Sequence, residues 1–485
     1  MKEKSIWREV FPKSSCPKLD KDIDVDVLII GGGITGISTA YHLKNSKLKV
    51  CLVEKNTIGD GVTSRTTGKL TYLQENIYSK LTTYVGKENA KLYLDSQREA
   101  IKLVTNIIKK HDISCNLDCV SSYVFTDNKD NKLEKEKNIL LEFGINVKDS
   151  KNLPSGEETN SFYVDDTYVF HALKYIYALK DICLNKDISI YEDTKIISID
   201  KEAEGYICKT HGNKIKAKYV VLALHYPYFL FPFFMPLKAH LEKSYIEALQ
   251  VEKNYGYSAI TVSKPTISIR YHSDNDKHYQ IYLTNSHDLS VKHNEKENFK
   301  DLMKARENKP DYLWSNKDIM TMDSLPYIGS LNDSNTLLIG TGYNTWGMTN
   351  GSLAGKILSD IILKKENIYT RLFNPKRGLN LGKVMNFPVV LGANVYSFTK
   401  TKLKKNKSWY FSNVRFEDRN GKKVGIYVDE KGKEHIVYNI CPHLKCSLIF
   451  NEIEKTWDCP CHGSRFDIDG KCIEGPSNYN ITYKE

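Results

Sequence analysis

Four cysteines and two histidines fall within the 26 residues CPHLKCSLIFNEIEKTWDCPCHGSRF, Cys441 to Phe466, of a 485-residue chain that has only eleven cysteines in all. Cys441 and His443 make a C-x-H pair, Cys459 and His462 a C-x-x-H pair, and 15 residues separate His443 from Cys459. Thiolates and imidazoles in that combination suit zinc in a Cys2His2 site. The same four suit an iron–sulfur centre with mixed ligands, and the cysteines alone suit a disulfide staple. On residue types alone, all three remain open.

A second constellation stands near the other end. Gly31, Gly33 and Gly36 form G-x-G-x-x-G inside VDVLIIGGGITGISTAYHLKNSKLKVCLVEK, Val25–Lys55. Glycine there allows a tight turn, close approach of backbone to a pyrophosphate, and helix–strand packing, while the helix N-terminus offers free N–H groups and a favourable dipole. Glu54, 18 residues past Gly36, ends the second strand where ribose hydroxyls would need an acceptor. The acidic residue suits FAD and NAD equally.

These residues need elements to position them. Val25–Ile30 and Leu48–Val53 read as buried strands around a helix, a βαβ beginning. The stretch from Tyr78 to Lys110 reads as helix. From about Cys115 to Met320, strand-like runs (SSYVFT, ISIYED, YGYSAITV, HYQIYLT) mix with helices such as HALKYIYALKDICL, which predicts an antiparallel sheet carrying the substrate. A strand Tyr219–Leu224 and a late strand–glycine turn–helix, TLLIGTGYNTWGMTNGSLAGKILSDIIL, complete the nucleotide fold. Residues 376–407 lack regular pattern and read as a linker. From about 408 to the end, short strands with turns at DRNGKK, DEKGKE and DIDG predict a small all-β domain.

Composition is that of a globular protein, 41% hydrophobic and 27% charged, and the length asks for two or three domains. The net charge of +11 comes from dispersed lysines, the densest run being KTKLKKNK in the linker, so nucleic acid is not expected as a partner. No segment has the roughly 18 uninterrupted apolar residues of a membrane helix. The apolar YPYFLFPFFMP, Tyr226–Pro236, has three prolines and reads as a loop or lid. With no signal-peptide core at the N-terminus, a cytoplasmic location is expected.

Residues 20–375 resemble the FAD-dependent amine-oxidising family of glycine oxidase, sarcosine oxidase and D-amino-acid oxidase. The loop GDGVTSRTTGKLT is similar to the family's loop after the second strand. The resemblance implies that Ser64, Arg65, Thr66 and Thr67 line the diphosphate and ring of the flavin. WSNKDIMTMDSLPYIG and the glycine turn after it resemble the closing FAD segment, which implies roles for Gly340, Gly342, Gly347, Met348 and Thr349. Nucleotide-binding parts are then expected at about 20–75, 215–225 and 325–365, with a substrate part at about 115–320. Such enzymes oxidise a C–N bond by hydride transfer to the flavin. His225 and Tyr226, just past a strand, are candidates to reach the flavin edge, Trp346 to pack over it, and Arg270 to hold a substrate carboxylate through its fork.

From about residue 408 the chain resembles Rieske [2Fe–2S] domains, whose two boxes read C-x-H-x-G-C and C-P-C-H-G-S. The resemblance implies Cys441, His443, Cys459 and His462 as ligands, Cys446 and Cys461 as a disulfide bridging the two loops, and GPSNYNI as the loop that closes over the cluster. Lys445 stands where the family has glycine. Phe466 stands where high-potential members have tyrosine, so a lower, intermediate potential is expected. A two-electron flavin and a one-electron cluster in one chain imply a relay from a small amine or amino acid to an unidentified acceptor, and a dehydrogenase before an oxidase. A reductase fed through the cluster, and a sensing or structural role for the module, are the alternatives. No residue set resembles the two-histidine, one-carboxylate iron site of Rieske oxygenases.

Overall fold

A computed structural model describes residues 4–9, 15–126, 131–227, 235–288, 309–403, 413–452, 454–477 and 479–484. Its first layer is an eight-stranded sheet in the order Tyr327–Ser330, Leu337–Thr341, Lys214–Leu222, Ile23–Ile30, Val50–Val53, Ser189–Tyr191, with a hairpin, Ser198–Glu202 and Gly205–Lys209, joined to Lys214–Leu222. The strands from Leu337–Thr341 to Ser189–Tyr191 run parallel, and their Val, Ile and Leu side chains are buried on both faces. Two helices, Ile34–Leu43 and Gly347–Ile362, pack together on one face. Glycine makes that contact possible: a Cβ on Gly355 would lie 2.4 Å from the Ser38 Cβ.

The second layer is a nine-stranded sheet, antiparallel except where Tyr257–Thr261 runs parallel to Asp118–Thr126. Its far edge is the long pair Ala239–Val251 and Tyr312–Thr321, ten residues in continuous register. The C-terminal domain is all-β, a three-stranded sheet (Val414–Arg419, Lys422–Val428, Glu434–Tyr438) beside four short strands from Ile449–Asn451 to Cys472–Glu474. The fold is therefore a Rossmann-type α/β unit with an inserted, mainly antiparallel sheet and a small β domain. No helix among the described residues is long and apolar enough to cross a membrane.

Local differences from the sequence reading have physical causes. The Tyr78–Lys110 stretch is two helices, Ile77–Val85 and Lys87–Lys110, broken at Gly86, whose φ of 88° a helix cannot accommodate. Ser189–Tyr191, grouped by sequence with the central sheet, pairs with Val50–Val53 at the edge of the parallel one. Within the expected linker, Leu381–Leu403 is a helix that contains Pro388. Proline and glycine disguise it in sequence, and tertiary packing holds it: a Cβ on Gly382 would lie 2.7 Å from the Tyr84 ring, and Asn386 donates to the Met322 carbonyl at 2.8 Å. The apolar loop 226–236 falls largely in 228–234, outside the described residues.

Candidate functional site

A long cavity opens where the parallel sheet ends and the second sheet begins. At one end it is lined by Gly31, Gly33, Thr35, Glu54, Gly61, Thr63 and Thr66. Gly31 has φ 113°, and a Cβ there would lie 2.3 Å from the Ala223 carbonyl oxygen; one on Gly36 would lie 1.8 Å from the Gly31 oxygen. Only glycine fits this turn. The helix that follows starts at Gly33 without a side-chain cap, so its N–H groups and dipole are directed at the cavity. Burial pushes the Glu54 carboxyl up, opposed by N–H donors from Gly32 at 2.8 Å and Asn56 at 2.9 Å.

Of the four loop residues, the structure brings Thr66 to the cavity. Ser64 turns away to donate to the Gly61 carbonyl and accept from Arg8 Nε at 3.0 Å. Arg65 reaches Glu474 at 3.7 Å, and the Thr67 carbonyl accepts from Arg270. Thr63, one residue outside the expected set, lines the cavity instead. Gly340, Gly342, Gly347 and Met348 continue the wall beside Thr35, while Thr349 is buried behind it and donates to the Trp346 carbonyl. Tyr343 and Thr35 share a 2.6 Å hydrogen bond across the opening. His225 and Tyr226 also line the cavity. Burial lowers the His225 imidazole to about 4, so the ring is neutral near pH 7.

Arg270 departs from its expected role. It lies on the strand Ser268–Asp274, fully buried and away from the cavity walls. Nη1 donates to the carbonyls of Thr67, Gly68 and Phe170 at 2.8, 2.8 and 3.1 Å, and Nε donates to that of Tyr271. The Trp7 ring covers it at 5.2 Å. Nε and Nη1 thus tie loop to sheet, while Nη2 is buried with no hydrogen-bond partner among the described residues. Two polar residues that sequence reasoning passed over, Asn316 and Asp318, do line the cavity. They are two apart on one strand and so share a face, the signal that was available for them.

The cysteine–histidine loops meet at one end of the C-terminal domain. Cys441 and Cys459 are buried, and the rings of His443 and His462 stand 5.0 Å apart at 88°. Both nitrogens of His443 and Nδ1 of His462 are buried with no hydrogen-bond partner among the described residues. Unpartnered imidazole nitrogens beside two thiols are what a metal cluster would satisfy. Cys446 and Cys461 are joined by a disulfide. Cys446, Cys459 and Cys461 also lie within 4.8 Å of one another, but the two disulfide sulfurs are not thiolates, so the fitting donor set is Cys441, His443, Cys459 and His462. Lys445, in place of glycine, has φ 61°.

The two sites are adjacent. The His462 ring lies 6.0 Å from that of Tyr226, a residue of the cavity wall. Around this point a charged seam joins the domains. Lys317 Nζ donates to the Gly463 carbonyl at 2.8 Å, and Lys243 Nζ lies 3.4 Å from Asp458 and 3.9 Å from Glu454. Arg465, also buried, pairs with Glu454 and Asp458. Burial would raise the Glu454 and Glu474 carboxyls; the surrounding Lys and Arg side chains override it and hold each at about 2. Lys55 and Lys195 fasten the carbonyls of Ile473 and Ser477 at 3.2 Å each, so the last loop of the C-terminal domain closes the cavity.

Fold, cradle and donor set define a flavin- and cluster-dependent oxidoreductase. Residues 26–361 match the FAD dependent oxidoreductase family and residues 400–483 the Rieske [2Fe-2S] domain. The chain belongs to the FAD dependent oxidoreductase family and carries a C-terminal Rieske domain; its cofactors are FAD and a [2Fe-2S] cluster. It is similar to the "Putative Rieske 2Fe-2S iron-sulfur protein YhfW" of Bacillus subtilis, 30% identical over 98% of this chain and 96% of the relative. The gamma-glutamylputrescine oxidoreductase of Escherichia coli is 22% identical over 78% of this chain and 93% of its own length. Among solved structures, glycine oxidase from Geobacillus kaustophilus superposes with a TM-score of 0.62 at 18% identity, covering 73% of this chain and 99% of its own. That likeness is one of fold.

Proposed function

We propose that this chain is a dehydrogenase for a small amine or amino acid, and that electrons taken from a C–N bond leave singly through the C-terminal domain to an outside acceptor. The observation that carries the reading is the 6.0 Å approach of His462 to Tyr226 on the wall of the nucleotide cavity. When bound, FAD accepts a hydride from carbon and a Rieske cluster exchanges one electron at a time.

The chain's residues have distinct tasks in this reading. Gly31, Gly33 and Gly36 with the helix start at Ile34 hold the diphosphate, and Glu54 accepts from the ribose. Thr66, Gly340, Gly342, Gly347 and Met348 shape the wall at the flavin. Cys441 and Cys459 bind one iron, His443 and His462 the other, with the Cys446–Cys461 bridge tying their loops. His225, neutral and at the wall, and Tyr226 line the passage between the sites. The seam built by Lys243, Lys317 and Arg465 fixes the separation, because breaking a buried, hydrogen-bonded charge pair costs about 3 kcal/mol or more. The name of the gamma-glutamylputrescine oxidoreductase supports amine chemistry at a carbon–nitrogen bond.

The test is anaerobic addition of an amine and amino-acid panel to the loaded full-length protein, read by absorption and EPR. Flavin bleaching followed by a growing Rieske EPR signal is expected. Bleaching with a cluster that stays oxidised overturns the relay; electrons supplied to the cluster that appear on the flavin, with no amine oxidised, assign the chain as a reductase.

A further inference from the structure

The strand Tyr312–Thr321 separates the two sites, and its side chains alternate between them. Ser315 and Lys317 bond to the C-terminal domain, at Glu454 and the Gly463 carbonyl. Asn316 and Asp318 therefore face the other way, into the nucleotide cavity, and are only 7% and 9% exposed. Asn316 Nδ2 donates to the Asp318 carboxylate at 3.4 and 3.2 Å, which leaves Asn316 Oδ1 buried with no partner among the described residues. Glu242 stands directly opposite Asp318 on the neighbouring strand, with His240 Nε2 at 3.5 Å from it.

This wall is made of acceptors. A buried carboxylate ordinarily has a cation or several N–H donors around it. Asp318 has one amide, and the charges acting on it among the described residues are those of Glu242 and Glu474; burial first, then these two, pushes its carboxyl up to about 7. Among the described residues, the two Lys and Arg side chains that line the cavity are Lys55 and Lys195, near Glu54, and they are occupied by the carbonyls of Ile473 and Ser477. Arg270, the residue suited to a carboxylate, is sealed under Trp7. Among the described residues, the wall lacks a positively charged donor.

We propose that Asn316 and Asp318 recognise the ammonium group of the substrate, so that the substrate class is a cationic amine held by its nitrogen rather than an amino acid held by its carboxylate. The inference rests on reading the cavity as an amine-oxidising site. One N–H of the ammonium goes to the Asp318 carboxylate and a second to Asn316 Oδ1, which satisfies the orphaned acceptor. Asp318 takes a proton from the ammonium before hydride leaves the neighbouring carbon, because the C=N bond forms from the nitrogen lone pair. Glu242 adds negative potential behind them.

The experiment uses two ligands of the same shape and opposite charge, titrated calorimetrically into the full chain loaded with both cofactors. tert-Butylammonium has no hydrogen on the carbon bearing nitrogen and cannot be oxidised there; pivalate is its carboxylate counterpart. Binding of tert-butylammonium without pivalate is expected, with affinity reduced about tenfold or more in Asp318→Asn and less in Asn316→Leu. Preference for pivalate, or unchanged tert-butylammonium affinity in Asp318→Asn, overturns the proposal. So does loss of flavin absorbance from an Asp318→Asn protein with an intact circular dichroism spectrum, which would give the carboxylate to the flavin. Since no electron moves in this titration, its outcome is independent of the relay: charge-selective binding with an unreduced cluster sinks only the relay, and a reduced cluster without charge selectivity sinks only this wall.

Discussion

The two cofactor sites are built on opposite principles. The flavin cradle is made of backbone, drawn from segments about 300 residues apart, Gly31–Gly36 and Gly340–Gly347, and it works because side chains are missing there. The candidate cluster site is made of side chains, four fitting donors from two loops within 22 residues, Cys441 to His462. A cradle of backbone depends on the fold being complete; a cage of side chains depends on which atoms are present. The two should therefore fail differently.

The largest effect is expected at the cage. Cys459→Ala removes one of two thiols, and the chain should lose its Rieske EPR signal entirely while retaining flavin absorbance. At the cradle, Gly31→Ala keeps every ligand atom but sets a methyl 2.3 Å from the Ala223 carbonyl oxygen at a φ of 113°. Flavin should be lost and the cluster kept. If either change removes both cofactors, the sites are not separable in this way.

The seam between the sites sharpens the comparison. Lys317→Ala leaves the buried Gly463 carbonyl without its charged donor and removes a cation that acts on Asp458 and Glu474, a loss of about 2 kcal/mol from docking and folding together. Small-angle scattering should show a larger radius of gyration, and cluster reduction by amine should slow. Acid should act on the same contacts. Glu454 and Glu474, held at about 2 when docked, contribute stability that is present above their ordinary range near 4.5 and is lost as pH falls toward about 2. Scattering should therefore be constant from pH 7 to 5 and expand below about pH 4. Constant dimensions through pH 3 would show that apolar contact, not charge, joins the domains.

The smallest effect is at Lys445, which occupies a left-handed conformation beside the cluster loop. Lys445→Gly should raise the unfolding free energy by about 0.5–1 kcal/mol, since strain of about 1–2 kcal/mol is relieved and partly offset by a more flexible unfolded chain. Chemical denaturation followed by near-UV circular dichroism measures it. A decrease in stability would mean the lysine side chain makes a contact worth more than the strain.

The same contrast explains what was legible in the sequence. Side chains that form a site are spelled out, so Cys441, His443, Cys459 and His462 stood out by type and spacing, and the resemblance to the Rieske boxes implied a cluster rather than zinc or a staple. Glycines with a strand before them and a helix after are nearly as explicit. The segment Leu381–Leu403 was not, because its helix is held by neighbours such as Tyr84 and Met322 rather than by its own propensity. Arg270 misled for a related reason. An arginine on a substrate-side strand reads as a ligand clamp, and only the positions of Gly68, Phe170 and Trp7 show that three of its hydrogen bonds tie loop to sheet away from the cavity walls. Asn316 and Asp318 were visible as letters but not as a wall, since their neighbour Lys317 breaks the polar pattern unless one knows that it faces another domain.

That alternation makes the strand Tyr312–Thr321 intolerant of any change in length. Inserting or deleting one residue ahead of Asn316 would rotate the whole set by half a turn. Lys317 would then enter the nucleotide cavity, and aspartate would be pressed against the carboxylates of the domain seam. A one-residue change of length should be tolerated less here than in surface loops, because a single slip would misplace Lys317 and Asp318 toward the cavity and the C-terminal domain together.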